Sequence, residues 1–139
     1  MLVRLLYASR AVEPIDNKIL DAILQESRSY NQDHGITGML CSHEDGNGFL
    51  QVLEGSREEI NRLYNTIVRD ERHTDVLLLA YEEICERKFA NWRMGRIDLA
   101  RVNPSVLLRY SERPVLEPTS LSAKAAMALL EELINTLPS

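Results

Sequence analysis

Apolar and polar positions alternate over residues 2–8, so that Val3, Leu5 and Tyr7 share one face of a predicted strand. The spacing then becomes helical. Asp16 is the expected N-cap, Ile19, Leu20, Ile23 and Leu24 form a stripe, and the helix is predicted to end near Asn31, ahead of the stop signal His34-Gly35. "ITGMLCS" reads as a second strand, "EDGNG" as a hairpin turn and "GFLQVLEGS" as a third strand. Ser56 and Glu59 form a capping box for a second helix, whose stripe is Ile60, Leu63, Tyr64 and Ile67 and which ends around residues 70–73. Residues 76–84 read as a fourth strand and residues 92–97 as a short fifth.

The resulting order, β-α-β-β-α-β-β, is that of an α+β, ferredoxin-like fold with a five-stranded mixed sheet. Right-handed crossovers lay both helices parallel on one sheet face and make strands one and three central antiparallel neighbours. Tyr7 and Gln51 then sit on adjacent strands facing the helices. Beyond Asp98 the pattern changes: a short helical segment over residues 103–110, the connector "SERPVLEPTS", and a last helix over residues 122–137 with Ala126, Leu130, Leu133 and Leu137 in line. The chain thus divides into residues 1–98 and a helical extension, 99–139. The second sheet face (Leu6, Leu50, Val52) needs a cover, which this extension supplies from its own chain or a neighbouring copy. That requirement and the open sheet edge predict a homo-oligomer.

Polar side chains interrupt faces that should be apolar. In the third strand Gln51 lies between Phe49 and Leu53. On the first helix the inward line runs Leu20, Leu24, Ser27, Asn31; on the second it runs Ile60, Leu63, Ile67, Asp70, ending in an anion that opposes the helix dipole. Each has an ordinary explanation: a helix cap for Asn31, solvent or a pair with Arg69 or Arg72 for Asp70, a core phenol for Tyr7, a backbone bond for Gln51. Together, Tyr7, Ser27, Asn31 and Gln51 project into one layer between sheet and helices. Apolar walls from Ile23, Leu24, Phe49, Ile60 and Ile67 with a few amides suit a flat heteroaromatic ring, and an Asn or Gln amide matches an imide edge. Flavins and pterin-like rings both carry such an edge.

Composition narrows the classes. The chain has 139 residues, 45% of them hydrophobic, and a net charge of −5 without a basic stripe, which argues against nucleic acid as a partner. Its apolar runs are too short to span a membrane, and its start is no signal peptide. Cys41 and Cys85 lack CxxC spacing and fit buried packing residues in a reducing cytoplasm. His34, His43 and His73 show no metal-ligand spacing, so no metal is expected.

The segments "LLYASR", "SRSYNQDHGITGML", "GFLQVLEG", "DERH" and "RKFANWRMG" closely resemble, in order and spacing over residues 2–97, the BLUF domain, a blue-light sensor using flavin. The resemblance implies a photoreceptor without substrate turnover, with FAD (or FMN or riboflavin) held between the two helices. It implies that Tyr7 donates an electron and proton, that Gln51 bridges the phenol and the flavin and switches its hydrogen bonds, and that Asn31 bonds the ring's carbonyl edge. Trp92 and Met94 match a fifth-strand pair that relays the signal. Ile23, Leu24, Ser27, Arg28, Phe49, Leu53, Ile67, Asp70, Arg72 and His73 complete the expected flavin contacts. Tyr30 matches a position that varies. No effector domain follows the sheet, which resembles short members that signal to a separate protein. Two other readings compete. Ser9-Arg10 occupies the place of the phosphate-cradling arginine loop of acylphosphatases, although Glu13 and Pro14 stand where glycines would be needed. A flavin-free module binding a small metabolite is the other.

Overall fold

Strand β1 (Leu2–Ala11) pairs antiparallel with β3 (Gly48–Ser56) on one side and with β4 (His73–Ile84) on the other. Strand β2 (Thr37–His43) joins β3 antiparallel and β5 (Gly95–Asp98) parallel, giving the order β4-β1-β3-β2-β5. In this computed structural model residues 1–136 are described; Leu137, expected in the last helix, lies outside the described residues. The register sets Tyr7 directly opposite Gln51.

The alternation of β1 and β3 sorts two cores. Val3, Leu5, Tyr7 and Leu53 face helix α1 (Asn17–His34), through Leu20 and Leu24, and helix α2 (Arg57–Val68), through Ile60. Leu6, Leu50 and Val52 face the opposite way. There they meet Leu107 of α3 (Pro104–Leu108) and Leu129, Leu130 and Leu133 of α4 (Ala123–Ile134). The cover of the second face therefore comes from the same chain. Asp16 and Ser56 cap α1 and α2, their side-chain oxygens accepting from the amides of Ile19 and Glu59. The capping box is half formed, because Glu59 turns its carboxylate to Arg62.

Several boundaries differ from the sequence expectation, each for a local reason. Helix α1 continues to His34 because Gly35 adopts φ 67° and donates its amide to the Asn31 carbonyl. The "EDGNG" segment joins β2 and β3 as the expected hairpin turn, closed by one 3-10 turn over Asp45–Asn47 with Asn47 at φ 54°. Helix α2 stops at Val68, so Asp70 lies beyond the helix and does not oppose its dipole from within. Strand β5 begins at Gly95; Trp92 and Met94 belong to the irregular segment before it. Ser9 and Arg10 lie inside β1, paired with β3, so no phosphate-cradling loop begins there. Cys41 is buried as expected, whereas Cys85, at the end of β4, is exposed.

Candidate functional site

The layer between the sheet and the two helices holds a cavity of about 440 Å³. That volume lies within the roughly 300–1,000 Å³ typical of small-molecule sites. Strand alternation brings Tyr7, Leu40, Phe49, Gln51 and Leu53 to its floor, and helical spacing brings Ile23, Ser27 and Asn31 from α1 and Leu63 and Ile67 from α2 to its walls. Asp70, Arg72 and His73 lie where the chain leaves α2.

Tyr7 and Gln51 are both buried, and the Tyr7 hydroxyl donates to Gln51 Oε1. Gln51 Nε2 donates to the Met94 sulfur at 3.3 Å, a weak acceptor. Burial holds the Tyr7 phenol well above the ordinary tyrosine range, and neighbouring Tyr64 and Asp70 push it the same way. In its ground state the phenol therefore remains a donor. The Tyr64 and His73 rings stand 5.9 and 6.2 Å from the Tyr7 ring. His73 Nε2 donates to the Ile67 carbonyl at 2.7 Å, and its Nδ1 lies in hydrogen-bond contact with the Ser9 hydroxyl at 2.8 Å.

Asn31 is 1% exposed and does not cap its own helix through its side chain. Its Nδ2 donates to the Arg93 carbonyl at 2.6 Å, and its Oδ1 is buried without a partner. An orphaned acceptor of this kind costs about 1–3 kcal/mol. A ligand N–H between two carbonyls would satisfy it, and the apolar walls would take the faces of a flat ring. The residues present therefore fit a flavin.

Asp70 pairs with Arg72 as well as lining the cavity: Oδ1 and Oδ2 both accept from Arg72 Nε at 3.0 Å. The Arg72 hydrogen bond is the main cause that holds the Asp70 carboxyl below its usual range, against a smaller opposing effect of burial. A lowered folded-state value means that the pair's stabilisation is complete above the unfolded carboxyl's ordinary pKa and is lost as pH falls through the lowered one. The pair is partly exposed, so solvent screening keeps its contribution small. An NMR titration should find the Asp70 midpoint below that of an unpaired aspartate, and Arg72→Gln should bring it back up; an unmoved midpoint would remove the pair from the site's electrostatics.

Leu24, Arg28 and Trp92 do not line the cavity. Leu24 packs into the core beneath α1, and Arg28 Nε reaches round to the Met94 carbonyl at 3.0 Å. Trp92 packs against the cluster on the opposite sheet face, whereas Met94 is buried on the cavity side. Of the two, Met94 is the one beside Gln51. Ile60, expected as a wall, is core. The loop after β1 (Val12, Pro14 and Ile15), together with Ile19 and Tyr30 of α1, also lines the cavity. Pro14 and Ile15 had no periodic signal, since they follow no strand or helix spacing.

Fold and site together define a ferredoxin-like α+β domain with a ring-sized cavity between its sheet and two helices. A family model described as sensors of blue-light using FAD matches residues 2–95. The chain belongs to the BLUF family of blue-light flavin sensors. It is 35% identical over 94 residues to the photoactivated adenylate cyclase subunit beta of Euglena gracilis, covering 67% of this chain and 11% of that protein. To the blue light- and temperature-regulated antirepressor BluF of Escherichia coli it is 28% identical over 99 residues, 71% of this chain and 24% of the other. It thus spans a tenth to a quarter of these curated relatives. Among solved structures, BlsA in its photo-activated state superposes with a TM-score of 0.85 at 32% identity, covering 100% of this chain and 99% of the other. BlrB in its dark state gives 0.78 at 31% identity, covering 96% and 94%. Among the described residues, no helix is long and apolar enough to cross a membrane, and no group of three or more His, Cys, Asp and Glu side chains could hold a metal ion.

Proposed function

We propose that this chain is a cytoplasmic blue-light photoreceptor, without substrate turnover, that signals by altered binding to a separate protein. The observation that carries the reading is the bridging position of Gln51, between the Tyr7 hydroxyl and the Met94 sulfur at the edge of the cavity. FAD is the flavin named for the family, and FMN or riboflavin present the same ring. Asn31 Oδ1 and the Gln51 amide would hold the polar edge of that ring, with Ile23, Phe49 and Ile67 along its faces.

When bound, the flavin supplies blue-light absorption and an excited state that draws an electron from a nearby phenol. Tyr7 is the phenol placed to give it. Burial keeps the proton on the unoxidised phenol, so it leaves with or after the electron, along the existing bond to Gln51 Oε1. Gln51 can then turn or tautomerise. Turning exchanges the Tyr7 bond to Oε1 for one from Nε2 to the Tyr7 oxygen and gives up the weak bond to Met94, and the proton and electron return to Tyr7 as the arrangement resets. No atom is lost, so the original arrangement returns in the dark.

In the proposal residues 1–98 carry this sensor, and the part of the chain from residue 99 is a helical extension packed on the sheet. The apolar residues exposed along the edge strand β4, Leu77, Leu78 and Tyr81, favour a homo-oligomer. Blue illumination of the purified, flavin-loaded protein should shift its absorption reversibly to the red. A flavin-loaded protein with no such shift, or one that takes up no flavin, would overturn the proposal.

A further inference from the structure

Glu54 is a charged side chain with 0% exposure that the chemistry above does not use. It lies on β3 three residues beyond Gln51, so its side chain projects from the opposite face of the sheet. Burying a carboxylate is costly unless its oxygens are filled. Here Oε2 accepts from Arg4 Nε at 2.8 Å and from the Lys88 amide at 3.1 Å, while Oε1 accepts from the Phe89 amide at 2.8 Å. Two of these three donors are main-chain groups of the irregular segment 85–94, which has no strand ladder of its own.

The same segment is tied down around Glu54 and again at the cavity. Arg87 donates to the Gly35 carbonyl at 2.8 Å and to Thr37 Oγ1 at 3.0 Å, and the Phe89 side chain is fully buried in the cluster on that face. At its other end the Trp92 carbonyl accepts from the Gly38 amide at 2.9 Å, and the Met94 sulfur receives the Gln51 amide. Gly38 is required here, because a Cβ would sit 2.1 Å from the Val52 carbonyl oxygen and 3.2 Å from Met94 Cε. The segment therefore runs from a buried anion on one side of β3 to the switching amide on the other.

We infer that Glu54 is a positioning residue: by holding the amides of Lys88 and Phe89 it fixes the segment that sets Met94 against Gln51, and so governs how fast Gln51 returns to its dark orientation. The inference rests on the photosensor reading above. Glu54→Gln keeps the size of the side chain but turns an NH₂ group onto donors. Glu82→Gln is the control, since it removes the other partner of Arg4, 3.0 Å away, without touching the segment.

The test combines dark-recovery kinetics of the flavin-loaded proteins with amide hydrogen exchange on the unmodified chain. Glu54→Gln should recover on the order of tenfold faster with the size of the red shift retained, while Glu82→Gln recovers at the unmodified rate. In the dark, the Lys88 and Phe89 amides should exchange as slowly as those of β3. Recovery of Glu54→Gln at the unmodified rate would overturn the inference, as would exchange of those two amides at the rate of an exposed loop. If Glu54→Gln yields no folded protein, the exchange result decides alone. Absence of any red shift in the unmodified protein would instead sink the photosensor reading, a separate outcome.

Discussion

Tyr7→Phe should bind flavin and lose the reversible red shift altogether. The phenylalanine ring fills the same place in the core formed by Val3, Leu5, Leu20 and Leu53. Only the hydroxyl is lost, leaving Gln51 Oε1 without its donor at a cost of about 1–3 kcal/mol. The protein should therefore fold and keep its cavity. What disappears is the one phenol joined to Gln51, and with it both the electron and the proton that the proposed switch needs. Absorption spectra before, during and after blue illumination check this. A Tyr7→Phe protein that shifts and recovers like the unmodified one would remove Tyr7 from the photochemistry.

Leu130→Ala should lower stability by about 2–5 kcal/mol, a large share of the roughly 5–15 kcal/mol typical of a folded domain. Leu130 is fully buried on α4 and packs in the cluster with Leu6, Leu50 and Val52 of the sheet. Truncation there leaves a cavity against a face made of β-strands and helices at once. Urea unfolding followed by flavin absorbance and by helical signal should move together to lower denaturant. A near-neutral change, or a flavin signal that keeps its midpoint while helix is lost, would show that the extension is not one cooperative unit with the sheet.

The arrangement of strands and helices was readable because period-two and helical spacings are written into β1, β3, α1 and α2, and a split β-α-β order leaves few topologies. The pairing of Tyr7 with Gln51 followed from that topology, before any contact was visible. Boundaries set by single backbone conformations were less readable: Gly35 carries α1 a turn further, Asn47 closes a 3-10 turn, and α2 ends before Asp70. Residues 85–94 were beyond pattern reading. They follow neither period, and their course depends on Glu54, Arg87 and Asn31, whose partners lie dozens of positions away. For that reason Trp92 and Met94 looked like strand neighbours, when they point into different cores. Strand alternation sets Glu54 on the face of Leu50 and Val52 and gives no sign of its bonds to the Lys88 and Phe89 amides, although its neighbour across the sheet, Arg4, follows from the register once β1 and β3 are paired.

The switch itself is tested most directly at Gln51. Light-minus-dark absorption should be recorded for the flavin-loaded unmodified protein and for Gln51→Leu, side by side. A red shift that decays in the dark is expected for the first and none for the second, with flavin still bound in both. A Gln51→Leu protein with the same reversible shift would contradict the switch, because the amide at the centre of the Tyr7–Gln51–Met94 arrangement would then have no part in the response.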